Sequence, residues 1–187
     1  DGDRSNAKLY LKKAVRANAN FMPGIAMGIA DRALRGRATA DDQKKIDGII
    51  TSQPIDTLGT RNQNLVYFAA AALAYNNGNL EESQKFIKLS LGADPLSPFA
   101  TVHQATLLAH KGELDPAAEL FRQAVKNVSC TYTTDALINF YAKYEKFDDA
   151  IAVLDGMGED DKKAAKYLTI RGDVLRYKGD AANSKAA

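Results

Sequence analysis

A glycine recurs at a fixed interval along this chain, each time between two stretches with helical periodicity. Gly78 and Gly112 are 34 residues apart, Glu145 takes the equivalent place 33 residues later, and Gly179 restores the glycine after a further 34. An interval of this length marks a repeat array, in which each unit is one small supersecondary structure. The flanking segments agree: 64–95 (NLVYFAAAALAYNNGNLEESQKFIKLSLGADP) is followed by 99–129 (FATVHQATLLAHKGELDPAAELFRQAVKNVS), then by TDALINFYAKYEKFDDAIAVLDGMG and YLTIRGDVLRYKGDAANSKAA.

Each unit reads as two helices joined by a tight turn. Ala105, Leu107, Leu108 and Ala109 precede Gly112, and Leu114, Ala117, Phe121, Ala124 and Val125 follow it at steps of three and four. That spacing gathers apolar side chains on one face of a helix. Glycine ends the first helix because it takes positive φ without a steric penalty. Asp115-Pro116 then supplies a cap and a first-turn proline for the second helix. A hairpin this short cannot cover its own apolar face, so neighbouring hairpins must stack. Alanine at the crossings lets helix axes approach to the lower end of the usual separation of about 8–10 Å. Ala117 and Ala124 are expected at such crossings, with Ala118 on a more exposed side.

These residues resemble the tetratricopeptide repeat. The second-helix half of its pattern is matched by Ala117-x-x-x-Phe121 with Ala124, by Ser83-x-x-x-Ile87 with Ser90 and Pro95, and by Ala150-x-x-x-Leu154. The first-helix half is looser, resting on Tyr67 and Ala71, on Ala105 and Leu108, on Tyr141, and on Gly172 and Leu175. Gln104 and Arg171 stand where leucine is usual, Ile138 where a small residue is, and Gly156 stops one second helix early. The resemblance implies an all-α fold, a right-handed α-α superhelix (solenoid) of stacked helix-turn-helix repeats.

The pattern also divides the chain. Residues 1–20 read as the turn and second helix of an incomplete repeat, through Gly2-Asp3, Ala7-x-x-x-Leu11 and Ala14. Residues 21–63 form an atypical repeat, with helices expected over 21–34 and roughly 40–52 and a longer connection over 53–63. Repeats follow at 64–97, 98–130 and 131–164, then an incomplete one at 165–187 with its turn at Gly179. All of 1–187 is thus expected to be a single solenoid, and to be a piece of a longer array, since such arrays need capping units.

Composition narrows the chemistry. With 25 Lys+Arg against 23 Asp+Glu, the net charge of +2 sets up no field that would draw in a nucleic-acid backbone or an anionic membrane. The longest apolar run, 65–75, has 11 residues, about half of the roughly 20 needed to span a bilayer. It is expected to be a buried helix. The single cysteine, Cys130, can form neither an internal disulfide nor a thiolate zinc site, and is expected to be a small buried or partly buried filler. His103 and His110 are the only histidines and stand two helical turns apart, about 10.5 Å along the axis, too far to share a metal. Gly24-x-x-x-Gly28 reads as a close helix contact, because Asp31 and Arg32 in the same segment argue against a membrane helix. The run Glu159-Asp160-Asp161 reads as a helix start. No phosphate-binding glycine loop or nucleophile elbow occurs. No catalytic residue, metal site or cofactor is therefore expected, and the chain is read as a non-enzyme.

What remains is a surface. In tetratricopeptide arrays the first helices line a concave groove. Carried over residue by residue, this implies partner-binding positions at Leu65, Phe68, Ala72, Tyr75, Phe99, Val102, His103, Thr106, His110, Asn139, Lys143, Arg176 and Tyr177, with Ala69, Asp135, Thr169 and Asp173 beside them. The N-terminal half of that groove is apolar and aromatic, the C-terminal half polar. The family's clamp for a C-terminal carboxylate is absent, because Phe68, Ala72 and His103 occupy its places. An apolar helix or extended peptide suits the aromatic half, with Phe68, Tyr75 and Phe99 as anchors. The same aromatics could instead pack against the preceding unit. The expected function is a scaffold that binds a peptide or helical segment of another protein, in the cytoplasm or, after removal of a leader, in the cell envelope. An alternative is a regulatory segment of a transcription regulator with an upstream DNA-binding domain, suggested by the Gly92–Pro98 connection.

Overall fold

The computed structural model describes residues 22–52 and 58–186, together with Lys13 and Ile55. The helix expected within 1–20, and most of the stretch 53–57, lie outside the described residues. Among the described residues the regular elements that order the chain are α-helices: α1 (Met22–Leu34), α2 (Ala40–Ser52), α3 (Thr60–Asn76), α4 (Leu80–Ala93), α5 (Pro98–His110), α6 (Leu114–Asn127), α7 (Thr131–Lys143), α8 (Phe147–Asp155), α9 (Glu159–Lys163) and α10 (Ala165–Ala186). The chain forms two compact units, one up to Leu107 and one from Leu108.

In the first unit α3 is central and packs against α1, α2 and α4. The apolar run 65–75 explains this, since a helix without a polar face is stable only when surrounded. Ala69, Ala70, Ala71 and Ala72 are all buried. Their small side chains let neighbours approach, while Ile29, Val66, Phe68, Leu73 and Ile87 fill the core. The connection expected over 53–63 is shorter than the sequence suggests, because α3 already begins at Thr60. The Gly59 carbonyl accepts from the Asn62 and Gln63 amides at 2.8 and 3.1 Å, so the polar residues before the apolar run join its helix.

The turns share one geometry. Gly36, Gly78 and Gly112 have φ of 65°, 78° and 81°, and Glu145 is at 56°. In each, the next residue sends its N–H back over five residues: Arg37 to Arg32 O at 2.8 Å, Asn79 to Ala74 O at 2.9 Å, Glu113 to Leu108 O at 3.0 Å and Lys146 to Tyr141 O at 2.8 Å. This closure satisfies the last carbonyls of the first helix and needs left-handed backbone at its pivot. The turn expected at Gly179 is absent, since α10 runs unbroken from Ala165 to Ala186. Residues 180–187 (DAANSKAA) offer no large apolar side chain to pull a second helix back onto the first. Without that packing, propagation of the helix wins.

Two second helices, α2 and α4, start on reciprocal side-chain caps, whereas the N-caps of α6 and α8, Glu113 and Lys146, make no side-chain cap bond. Thr39 and Asp42 exchange bonds at α2, with the Asp42 amide 3.3 Å from Thr39 Oγ1 and the Thr39 amide 3.0 Å from Asp42 Oδ2. At α4 the Glu82 amide donates to Asn79 Oδ1 at 3.1 Å, and Asn79 Nδ2 donates to Glu82 Oε2 at 3.0 Å. At α6 the cap falls two residues before the expected Asp115: Glu113 is the N-cap, and Asp115 and Pro116 lie within the first turn.

In the second unit α6 packs on α7, α7 on α8, and α8 on α10. Phe140 is the hub, its ring centroid 4.9 Å from Phe121 and 5.2 Å from Tyr144. Ala117 and Ala124 are buried as expected, but Ala118, expected to be more exposed, is buried as well at 3%. Positions 117, 118, 121, 124 and 125 form a stripe wide enough to include it. Cys130 is exposed, not a buried filler, because it is the N-cap of α7, where its amide donates to Thr133 Oγ1 at 3.2 Å. No described helix is long and apolar enough to cross a membrane.

Candidate interaction surface

The first-helix stripe of the first unit is built on a buried polar frame. Asn64 Nδ2 donates to the Ser90 carbonyl at 3.0 Å and to Ser90 Oγ at 2.9 Å, while Ser90 Oγ donates to Asn64 O at 2.9 Å. Ser97 Oγ donates to Asn64 Oδ1 at 3.1 Å and accepts from the Ala100 amide at 3.4 Å, which caps α5 just before Pro98. A polar group buried without partners would cost free energy, so these mutual bonds hold α3, α4 and the start of α5 in one register.

Along that stripe the expected groove residues divide into two layers. Phe68, Ala72, Val102 and His103 are buried, with relative exposures of 1%, 0%, 6% and 2%. The Phe68 ring lies 5.6 Å from Phe99 and 6.0 Å from His103, and Tyr75 meets His103 edge-on at 5.2 Å. Phe68 and His103 therefore fill the seam between the adjacent first helices α3 and α5, and cannot serve as surface anchors. Ala69 is buried beside them. Leu65, Tyr75, Phe99 and Thr106 remain partly exposed along the edges of this aromatic floor.

His103 is fixed from below. Ser83 Oγ donates to Ala71 O at 2.8 Å, so its lone pair accepts from His103 Nε2–H at 3.0 Å. One chain of hydrogen bonds thereby ties α3, α4 and α5 together. Burial holds the His103 imidazole neutral, lowering its pKa from 6.5 to about 4.

In the second unit the expected positions are polar and outward. His110, Asn139, Lys143, Arg176 and Tyr177 are exposed. Lys143 Nζ stands 5.4 Å over the Tyr144 ring, and the Arg176 guanidinium 4.6 Å over that of Tyr177. Arg176 also reaches Asp173 at 3.4 Å. Asp135, expected beside them, is buried and accepts from Lys166 Nζ at 2.5 Å, a bond that joins α7 to α10. Thr169 spends its hydroxyl on the Ala165 carbonyl at 2.9 Å. Leu175, counted in the first-helix pattern, is 48% exposed on α10, and Leu168, which periodicity did not single out, is 57% exposed one heptad before it.

No group of His, Cys, Asp and Glu among the described residues could hold a metal ion. No family model matches the chain, and no curated protein matches it. Among solved structures the chain is similar to a thermophilic TPR protein of Thermus thermophilus, with a TM-score of 0.61 and 17% sequence identity over 92% of this chain and 96% of that one. The chain thus has a fold of the tetratricopeptide-repeat type, all-α, with helices packed in succession.

Proposed function

Starting from a tetratricopeptide-type fold, we propose that this chain is a protein-interaction module that receives a peptide or helical segment of another protein on its first-helix face. The observation that carries this reading is the layered aromatic patch of the first unit. Its floor of Phe68 and His103 is packed and hydrogen-bonded, and its rim of Leu65, Tyr75 and Phe99 still meets solvent. Side chains fixed before binding lose little entropy on contact, which is what an apolar anchor site requires. Tetratricopeptide folds in general mediate contacts between proteins, which favours the same reading. In the second unit Asn139, Lys143 and Arg176 offer polar contacts of their own.

The test uses partners captured by the whole chain and identified by crosslinking. Leu65→Asp and Thr106→Asp, on the rim, should abolish capture with the helical circular dichroism unchanged. Leu89→Asp, at an exposed position on α4, should leave it intact. Capture that survives both rim variants would remove the site from this face.

A further inference from the structure

His103 reaches α4 through only one of its two ring nitrogens. Ser83 Oγ accepts from Nε2–H at 3.0 Å and sends its own proton to Ala71 O at 2.8 Å. A hydroxyl has a single proton, so this chain of bonds permits one neutral tautomer, with the hydrogen on Nε2 and a bare lone pair on Nδ1. Nδ1 has no hydrogen-bond partner among the described residues, yet no fully buried side-chain nitrogen or oxygen of those residues lacks one. Nδ1 therefore touches solvent, although His103 as a whole is only 2% exposed. The two nitrogens of an imidazole point nearly opposite ways. With Nε2 turned toward α4, the Nδ1 lone pair is aimed out of the seam between α3 and α5, toward the first-helix face.

The surroundings of that opening are aromatic. Tyr75 meets the His103 ring edge-on at 5.2 Å and Phe68 at 6.0 Å, while Phe99, one turn earlier on α5, lies 5.6 Å from Phe68. One turn later the Thr106 hydroxyl spends its proton on Val102 O at 2.9 Å. The face thus presents one lone-pair acceptor set in aromatic surface, and the side-chain donors of His103 and Thr106 are already used.

We propose that this acceptor is the docking point for a tryptophan of the partner segment, whose indole N–H donates to His103 Nδ1 while its rings lie between Phe99 and Tyr75. The proposal rests on the reading of the first-helix face as the interaction surface and names what that face selects. Indole has one donor and no acceptor, so it satisfies Nδ1 and covers no polar atom of its own without a partner. Phenylalanine would fill the same aromatic space but strip water from Nδ1 and leave it unpaired. Serine, asparagine, glutamine and tyrosine each bring an oxygen whose lone pairs would be covered in turn. Edge and face contacts with the flanking rings add to the fit of a large flat side chain.

The test follows the imidazole nitrogens of the full chain by NMR, the signals missing from His103→Gln being those of His103. Near neutral pH the free chain should show a protonated Nε2 and an unprotonated Nδ1; the reverse tautomer would overturn the proposal. N-acetyl-tryptophan methylamide should move the Nδ1 resonance upfield and saturably, as an accepted hydrogen bond does. Its benzothiophene analogue, with sulfur in place of the N–H, keeps the shape and should bind about fivefold more weakly, leaving Nδ1 unmoved. Equal affinity of the two probes, or an indole that shifts Leu65 and Thr106 but not Nδ1, would overturn the tryptophan assignment while the apolar face still stands, because both probes would mark it. An indole that shifts none of these would overturn the assignment as well, and partner capture by the rim variants then judges the face separately.

Discussion

Glu145 occupies the left-handed pivot that Gly78 and Gly112 hold elsewhere, at φ 56° against their 78° and 81°. A side chain in this region is disfavoured by roughly 1–2 kcal/mol, partly offset because a glycine is freer in the unfolded chain. Glu145→Gly should accordingly stabilise the chain by about 0.5–1 kcal/mol in urea unfolding; a lower midpoint would mean that the glutamate side chain contributes more than its backbone costs. His103 has the opposite character, a favourable contact conditional on pH. Its folded pKa, about 4, lies below its free value of 6.5, so its contribution is complete above 6.5 and is lost as pH falls from there toward 4. The loss amounts to ~3 kcal/mol at most. Asp42, held down to about 2 chiefly by its hydrogen bonds from Arg32, loses its contribution only between 3.8 and that value. Urea midpoints at pH 7.5 and 4.5 therefore isolate His103. The wild-type chain should lose more stability between them than His103→Gln, and equal losses would contradict a buried neutral imidazole.

At the scale of elements, one substitution should act with opposite signs at two glycines that the repeat makes equivalent. Gly112 sits at positive φ in a turn, whereas Gly179 lies inside α10, where an added methyl group would meet nothing within 4 Å. Gly179→Ala should raise stability or helix content by about 0.5–1 kcal/mol, while Gly112→Ala should lower stability by a comparable amount or more. Circular dichroism melts of the two variants decide it, and a matched response would restore the expected turn at Gly179. Helix crossings give a second test. Ala117 and Ala124 are 0% and 1% exposed, so Ala117→Leu and Ala124→Leu should each cost about 1–3 kcal/mol by overpacking. Gln123→Leu, at an exposed position of the same helix, is the control, since Ala118 is itself buried. Unchanged melting of both alanine variants would mean that α6 does not meet its neighbours there.

Across the whole molecule, contacts recur at the spacing of the repeat. Lys146 reaches Asp115 and Lys166 reaches Asp135, each across 31 residues, and Tyr144 Oη donates to Ala109 O across 35. Lys178 and Asp148 pair in the same manner. An array held by neighbour contacts opens locally wherever an element has few of them. Amide exchange should therefore be slowest in α3, enclosed by three helices, and fast in α10, where Leu168, Leu175 and Tyr177 remain exposed; comparable protection in the two would contradict this packing. Sequence alone determined the helical hairpins up to Asp155, their interval and the pivots at Gly78, Gly112 and Glu145, because turn conformation and apolar periodicity act over a single turn of chain, whereas the pivot expected at Gly179 failed. It also placed Ala117 and Ala124 in the core and α1 and α2 within a residue of their observed bounds. Only the tertiary structure decided which aromatics meet solvent. Phe68 and Tyr75 share a stripe on α3, yet the first lies beneath α5 and the second at its edge, because periodicity names a face and burial depends on what packs against it.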